Sequence, residues 1–213
     1  MFDYFDEPLG GYQLNVEILL AVNYGRLGRH DEALKMLKDA LGQIEGNAEL
    51  IKVKGDIYHH IADIYHQLRR YEKALKNLDT AAKYIDKSST QILDNLHLRA
   101  LILLDDNRRE EGMSCLNEGL RLCDVIEKKT GVRNSIFYYK LAGLKYSVTL
   151  DEPLSLFNLE NIVIPGILAM RMDIYATPFY ETLSSHFSKA GLYKQAEYYE
   201  RKVVEMRIRS TSK

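Results

Sequence analysis

Between Asp56 and Ala82 the chain carries two apolar patterns of helical period separated by a short polar break, and this pairing limits what the whole chain can fold into. In the first, Ile57, Ile61, Ile64, Tyr65 and Leu68 recur at three- and four-residue steps; in the second, Ala74, Leu75, Leu78 and Ala81 do the same. Each predicted helix therefore has one apolar stripe. Small residues stand where two antiparallel helices must approach closely, Ala62 in the first and Ala74 and Ala81 in the second, and Tyr65 and Tyr71 flank the turn. One such pair buries too little to stand alone, so the fold depends on whether the unit recurs.

It does recur. With Ala62, Tyr65, Tyr71, Ala74, Leu78 and Ala81 as a ruler, Ala21, Tyr24, His30, Ala33, Leu37 and Ala40 fall at the same offsets. A third copy, Ala100, Leu103, Arg109, Gly112, Leu116 and Gly119, is weaker because glycine replaces alanine twice. A fourth keeps Tyr138, Leu141 and Ala142 and degrades around Asp151-Glu152-Pro153; a fifth has Tyr180, Leu183, Ser184, Phe187, Gly191, Tyr193 and Ala196. The small positions 21, 62, 100, 142 and 184 give steps of 41, 38, 42 and 42 residues. The order of large, small and aromatic positions resembles a tetratricopeptide repeat, whose usual period is about 34 residues, so each helix here is expected to be about a turn longer. The expected fold is all-α, a right-handed α-α superhelix of about five antiparallel helix pairs. A lead-in of residues 1–11 precedes a single repeat domain over 12–213, with units near 12–46, 50–86, 90–129, 134–170 and 173–209.

Punctuation residues place the breaks. Pro8, Gly10 and Gly11 are expected to stop the first helix from extending backwards, Gly46-Asn47 separates units one and two, and Asp86 to Thr90 connects units two and three. Thr130-Gly131 ends the third pair. The fourth pair opens near Asn134; its second helix starts near Pro153 and is interrupted or kinked at Ile164-Pro165-Gly166.

The 213 residues are 46% hydrophobic and 28% charged, as in an ordinary folded chain, and the net charge of −1 supplies no field that would draw it to nucleic acid or an anionic membrane. No stretch approaches the twenty or so apolar residues of a membrane span and no secretory leader is evident, so the expected location is cytoplasmic. Cys115 and Cys123 lie eight apart on one predicted helix, roughly 12 Å along its axis, too far for a disulfide. They read as buried or half-buried thiols.

On a repeat of this kind the first helices line the concave face, and the ruler assigns its positions. Unit one presents Asn15, Ile18, Val22, Gly25 and Arg26, and unit two Asp56, His59, Asp63, His66 and Gln67. Unit three presents Asp94, His97, Leu101, Leu104 and Asp105, unit four Ile136, Tyr139, Gly143, Tyr146 and Ser147, and unit five Pro178, Glu181, Ser185, Ser188 and Lys189. This face is polar and acidic in the middle and aromatic toward unit four. Side chains of that kind suit an extended peptide whose backbone hydrogen bonds are unmet, and the acidic residues favour a ligand with positive charge, such as an amino terminus or a Lys or Arg side chain. The candidate groove is Asn15, Arg26, Asp56, His59, Asp63, His66, Gln67, Asp94, His97, Tyr139 and Tyr146. An ordinary hydrated concave face is the bland alternative. A metal site is the sharper one, because His59, Asp63 and His66 at i, i+4 and i+7 share a helix face that His97 would complete. Catalysis has little support beyond a metal-dependent reaction on that face: there is no phosphate loop, no GxSxG and no HExxH, and no cofactor is expected.

The segment from Leu154 to Arg209 carries a more specific likeness: Ile164-Pro165 closing a helix, a Tyr-rich helix with Tyr175 and Tyr180, then the turn AGLYKQAEYYERKV. With repeats near 40 residues, it resembles the C-terminal repeat domains of the Rap, NprR and PlcR group of peptide-responsive regulators from Gram-positive bacteria. The resemblance implies a concave groove for a short re-imported signalling peptide, whose binding changes curvature or oligomeric state. It also implies action through an effector domain on DNA or on a response-regulator partner. No effector-like segment precedes Tyr12, so the expectation is an excised sensor domain or a repeat-only relative that itself contacts no nucleic acid. Asn15 is the one asparagine among the groove positions, with His59, His66 and Gln67 as substitutes. The competing expectation is a scaffold for another folded protein, or a homodimer through Leu192, Tyr193, Tyr198 and Tyr199.

Overall fold

The periodic stretches of the sequence are helices in the computed structural model, which describes residues 9–44, 50–51, 53–85, 90–131 and 135–211. Most of the lead-in, the Gly46-Asn47 break, most of the Asp86–Thr90 connector and the opening of unit four at Asn134 lie outside those residues. No strand occurs among the described residues, and the fold is all-α. The chain divides into two compact units, Met1–Gly112 and Met113–Lys213.

In the first unit α1 (Leu9–Arg26) pairs with α2 (His30–Ile44), α3 (Val53–Gln67) pairs with α4 (Tyr71–Ala81), and α5 (Gln91–Asp105) follows. The helices form because their apolar stripes close on one another. Leu14, Ile18 and Ala21 of α1, Leu37, Ala40 and Ile44 of α2, and Ile57, Ile61 and Ile64 of α3 make one buried cluster. Ala62, Ala74 and Leu78 join Leu98 and Ile102 in the next. A fully buried leucine or isoleucine contributes about 1.5–3 kcal/mol, so each cluster outweighs the modest propensities of its helices. α1 begins at Leu9, earlier than its glycines imply: Gly10 and Gly11 sit in the first turn, where backbone N–H groups have no intrahelical partner to lose.

The turns inside pairs share one closure. Gly28, Arg69 and Asn107 in the first unit, and Gly191 in the second, all have positive φ and all stand seven residues after the small position of their repeat. The next residue's N–H reaches back over the turn, from Arg29 to the Tyr24 carbonyl at 2.9 Å, and at 2.8 Å from Arg70 to Tyr65, Arg108 to Leu103 and Leu192 to Phe187. This is the left-handed C-terminal closure of a helix, in which glycine is the usual residue.

The second unit begins within α6 (Arg109–Thr130), which is followed by α7 (Ile136–Val148), then α8 (Pro153–Asn158) and α9 (Ile164–Ala169) joined by a π turn at Leu159–Val163. A 3₁₀ turn, Asp173–Tyr175, leads into α10 (Thr177–Lys189) and α11 (Tyr193–Thr211). The core here gathers Tyr139, Ala142, Leu159, Val163, Ile167, Phe179, Tyr180, Leu183, Val203 and Met206. The interruption expected at Ile164-Pro165-Gly166 falls one turn earlier. Ile164 donates to the Leu159 carbonyl, five residues back, so the ladder is already loosened before Pro165, which has no N–H to give.

Three glycines of the second unit are close packing contacts. A Cβ at Gly119 would lie 2.9 Å from Leu141, one at Gly143 2.3 Å from the Phe179 ring, and one at Gly166 2.2 Å from the Tyr139 ring. The small positions Ala21, Ala62, Ala100, Ala142 and Ser184 are all buried, as the ruler requires.

Candidate functional site

In the first unit, packing α3 beside α5 sets their polar edges side by side. Gln91 on α5 donates to Asp56 on α3 at 2.8 Å, and the His66 imidazole Nε2 meets the Asp105 carboxylate at 2.7 Å. These two bonds, at opposite ends of the pair, make the faces of consecutive first helices one surface. Between them lie His59, Asp63, Asp94 and His97, all half-buried. Gln67 donates to Asp63 at 3.2 Å, which fixes that carboxylate along its own helix. Asn15 and Arg26 are exposed on α1.

Electrostatics follow burial. Loss of water raises the Asp56 carboxyl, against the lowering by its bond from Gln91, and the nearby Asp94 raises it further. His60 is the residue the sequence reading missed. It is pushed down to about 4, first by burial and then by the adjacent His59, against the raising influence of Asp63 and Asp94. The His59 and His60 rings meet edge to face with centroids 5.7 Å apart. His60 occupies the register position between Ile57 and Ile61 that turns toward the preceding pair.

The metal reading finds no support in the geometry. Among the described residues no group of three or more His, Cys, Asp or Glu side chains is arranged to hold a metal ion, and His66 is engaged with Asp105.

In the second unit the expectation for Tyr139 requires correction. Assigned to the groove, it is 8% exposed and belongs to the core, because its ring fills the space left open at Gly166. Tyr146 is half-buried and packs against the same core. Gly143 is likewise covered by Phe179, and in the first unit Gly25 is buried against Ile64. A concave position occupied by glycine is closed by its neighbour. Other concave positions do line an open cleft of about 640 Å³, formed by Ser147, Leu150, Asp151, Pro178, Glu181, Ser185, His186 and Lys189. The Ser147 hydroxyl is buried there without a hydrogen-bond partner. Cys115 is half-buried, and burial pushes the Cys123 thiol up to about 11, which keeps it protonated and inert.

Residues 55–87 match the tetratricopeptide repeat family profile. The apo form of the quorum sensor NprR from B. thuringiensis superposes with a TM-score of 0.77 at 23% identity, over 91% of this chain and 54% of that one. NprR in complex with its cognate peptide NprX gives a TM-score of 0.74 at 22% identity, over 91% and 53% of the two chains. BtubC (BKLC) from P. vanneervenii gives 0.61 at 17% identity, over 99% and 85%. The fold is tetratricopeptide-like. It resembles the repeat region of the NprR group, and the chain spans about half the length of the NprR chains it matches. No curated protein sequence matches the chain. No described helix is long and apolar enough to cross a membrane.

Proposed function

We propose that this chain is a non-catalytic module that holds a short peptide, or an extended segment of a protein, along the concave edges of its first helices. Its biological role on this reading is the cytoplasmic sensor part of a peptide-responsive regulator. The observation that carries it is the pair of bonds between α3 and α5, Gln91 to Asp56 and His66 to Asp105, which make one acidic and hydrogen-bonding surface from two repeats. A peptide amino terminus or a Lys or Arg side chain complements Asp56, Asp63, Asp94 and Asp105. The peptide-bound state of NprR gives the reading a fold-level precedent.

The test is a thermal melt of the purified chain against short synthetic peptides, followed by titration of any that shifts it. Asp63→Ala is expected to weaken binding about tenfold, the loss of one charge-assisted hydrogen bond, with helical content unchanged. A loss of fold in Asp63→Ala would mean that the stripe is structural.

A second reading, a scaffold that pairs through its last helix pair, is favoured by the exposure of Leu192, Tyr193 and Tyr198. Tyr199, grouped with them on sequence, is instead half-buried, stacked on Phe187 at 5.6 Å and bonded through its hydroxyl to Glu160. If this reading holds, Tyr193→Glu converts a dimer to a monomer in light scattering.

A further inference from the structure

On a different face of α3 from Asp56, Asp63 and His66, a cleft of about 390 Å³ opens between α3 and α4, lined by Tyr58, Tyr65, Lys73, Lys76, Asn77 and Thr80. Its aromatic floor is fixed. Tyr58 and Tyr65, two turns apart on α3, pack against the core of the first unit, and Tyr58 is stacked on Tyr84 with centroids 6.1 Å apart and planes 10° apart. The cationic side comes from α4. Lys73 and Lys76, three residues apart, are neighbours on that helix, and the Lys73 ammonium lies 5.8 Å from the centre of the Tyr65 ring. Asn77 and Thr80 each give a donor to the carbonyl one turn back, at 2.7 Å to Lys73 and 3.0 Å to Lys76. No carboxylate lines the cleft. Elsewhere basic side chains are held by acids close by, Arg108 by Glu111 and Lys202 by Glu205. Lys73 has Lys76 and Asn77 a turn on, and Asp79, within reach of Lys76 by spacing, is taken by Arg99. Among the described residues neither lysine is ion-paired, with Glu72 or any other acid, and neither tyrosine hydroxyl has a hydrogen-bond partner.

Two unpaired ammonium groups and two hydroxyl donors, with no acidic group among them, select an anion. Charge narrows its class. A carboxylate brings one negative charge and leaves one lysine unmatched, whereas a phosphate monoester brings about 1.5 to 2 at neutral pH, with three acceptor oxygens. Length narrows it further. In the antiparallel hairpin the lysines stand toward the closed end with Tyr65, and Thr80 toward the other end with Tyr58. The two tyrosines are seven residues apart, roughly 10 Å along the axis, so a phosphoryl group beside the lysines leaves the Tyr58 end for an apolar group. The volume suits one small molecule. We infer that this cleft binds a small organic phosphate monoester, its phosphoryl group held by Lys73, Lys76 and the Tyr65 hydroxyl and its organic group lying against Tyr58.

The inference is independent of the peptide site, which uses other residues and a ligand of opposite charge. It is tested by titration calorimetry on the full chain with phenyl phosphate as the probe, and saturable binding at one site per chain is expected. Lys73→Gln and Lys76→Gln are each expected to weaken it about tenfold, with an unchanged circular dichroism spectrum because both side chains are exposed. Tyr65→Phe is expected to weaken it less. Lys83→Gln, on the same segment but outside the cleft, is expected to leave it unchanged. Absence of phenyl phosphate binding overturns the inference, as does binding that survives both lysine substitutions or that Lys83→Gln weakens equally. Phenylacetate or inorganic phosphate binding as tightly as phenyl phosphate overturns the assigned class. So does a phosphotyrosine peptide that binds more tightly, since the ligand would then be a modified protein segment.

Discussion

At the scale of the residue, the deciding features are contacts with no room to spare. Gly143 faces the buried Phe179 ring, and a Cβ there would sit 2.3 Å from it. Gly143→Ala gains about 1 kcal/mol of helix propensity and meets overpacking of about 1–3 kcal/mol, so a net loss of up to about 2 kcal/mol is expected in a denaturant melt. At Gly119 the clash is with the ends of a leucine side chain, which yields more easily than a ring, and Gly119→Ala should be closer to neutral. His60 sets a pH dependence. Its pKa in the fold, about 4, lies below the ordinary 6.5. The unfolded chain therefore binds the extra proton first as pH falls, and stability drops between about pH 6.5 and 4, by up to roughly 3 kcal/mol. Asp56, raised by burial, works in the opposite sense at the acid end of that window. His60→Gln should flatten the fall in melting temperature between pH 7 and 5. The repeat offsets put His59 on the concave face and passed over His60, whose loss of water depends on how α3 packs against its neighbours and not on its place in the count.

At the scale of the element, the helix from Pro153 to Ala169 shows how a local irregularity serves packing. Its π turn places Glu160 against the Tyr199 hydroxyl and Gly166 under the Tyr139 ring. Tyr199→Phe should cost about 1–2 kcal/mol, the worth of a hydrogen bond to a half-buried carboxylate, without disturbing the Phe187 stack. Removing one residue from 159–163 would restore a regular ladder but turn everything beyond it by about 100°, carrying Gly166 away from Tyr139. The expected result is a less stable chain despite a more ideal helix, measurable by calorimetry. Pro165 signalled an interruption in this helix, and it could not say that the adjustment would be made upstream, because a π turn depends on the carbonyl that proline leaves unpaired. The same limit explains Tyr139. The ruler counts offsets along one helix, and only the space above Gly166, on another helix, draws that ring inward.

At the scale of the whole molecule, the repeat pattern was legible because every small position is buried where counting put it. What counting could not supply was whether a polar surface carries a ligand. If the proposed peptide site exists, a specific peptide at a hundred times its dissociation constant should stabilise the native state by about 2.7 kcal/mol, read as a rise in melting temperature. The turns bear on how such a chain is recognised at all. The same left-handed closure at the same offset is made by Gly28, Arg69, Asn107 and Gly191, four positions with three different residues. Thr149, at that offset in the fourth pair, has a φ of −112° and lacks it. The repeat is thus kept in a backbone shape while the residues at that offset differ, and a profile that reads residues recovers the stretch 55–87. Searches keyed to turn geometry and helix spacing should find distant relatives of this chain that sequence comparison passes over.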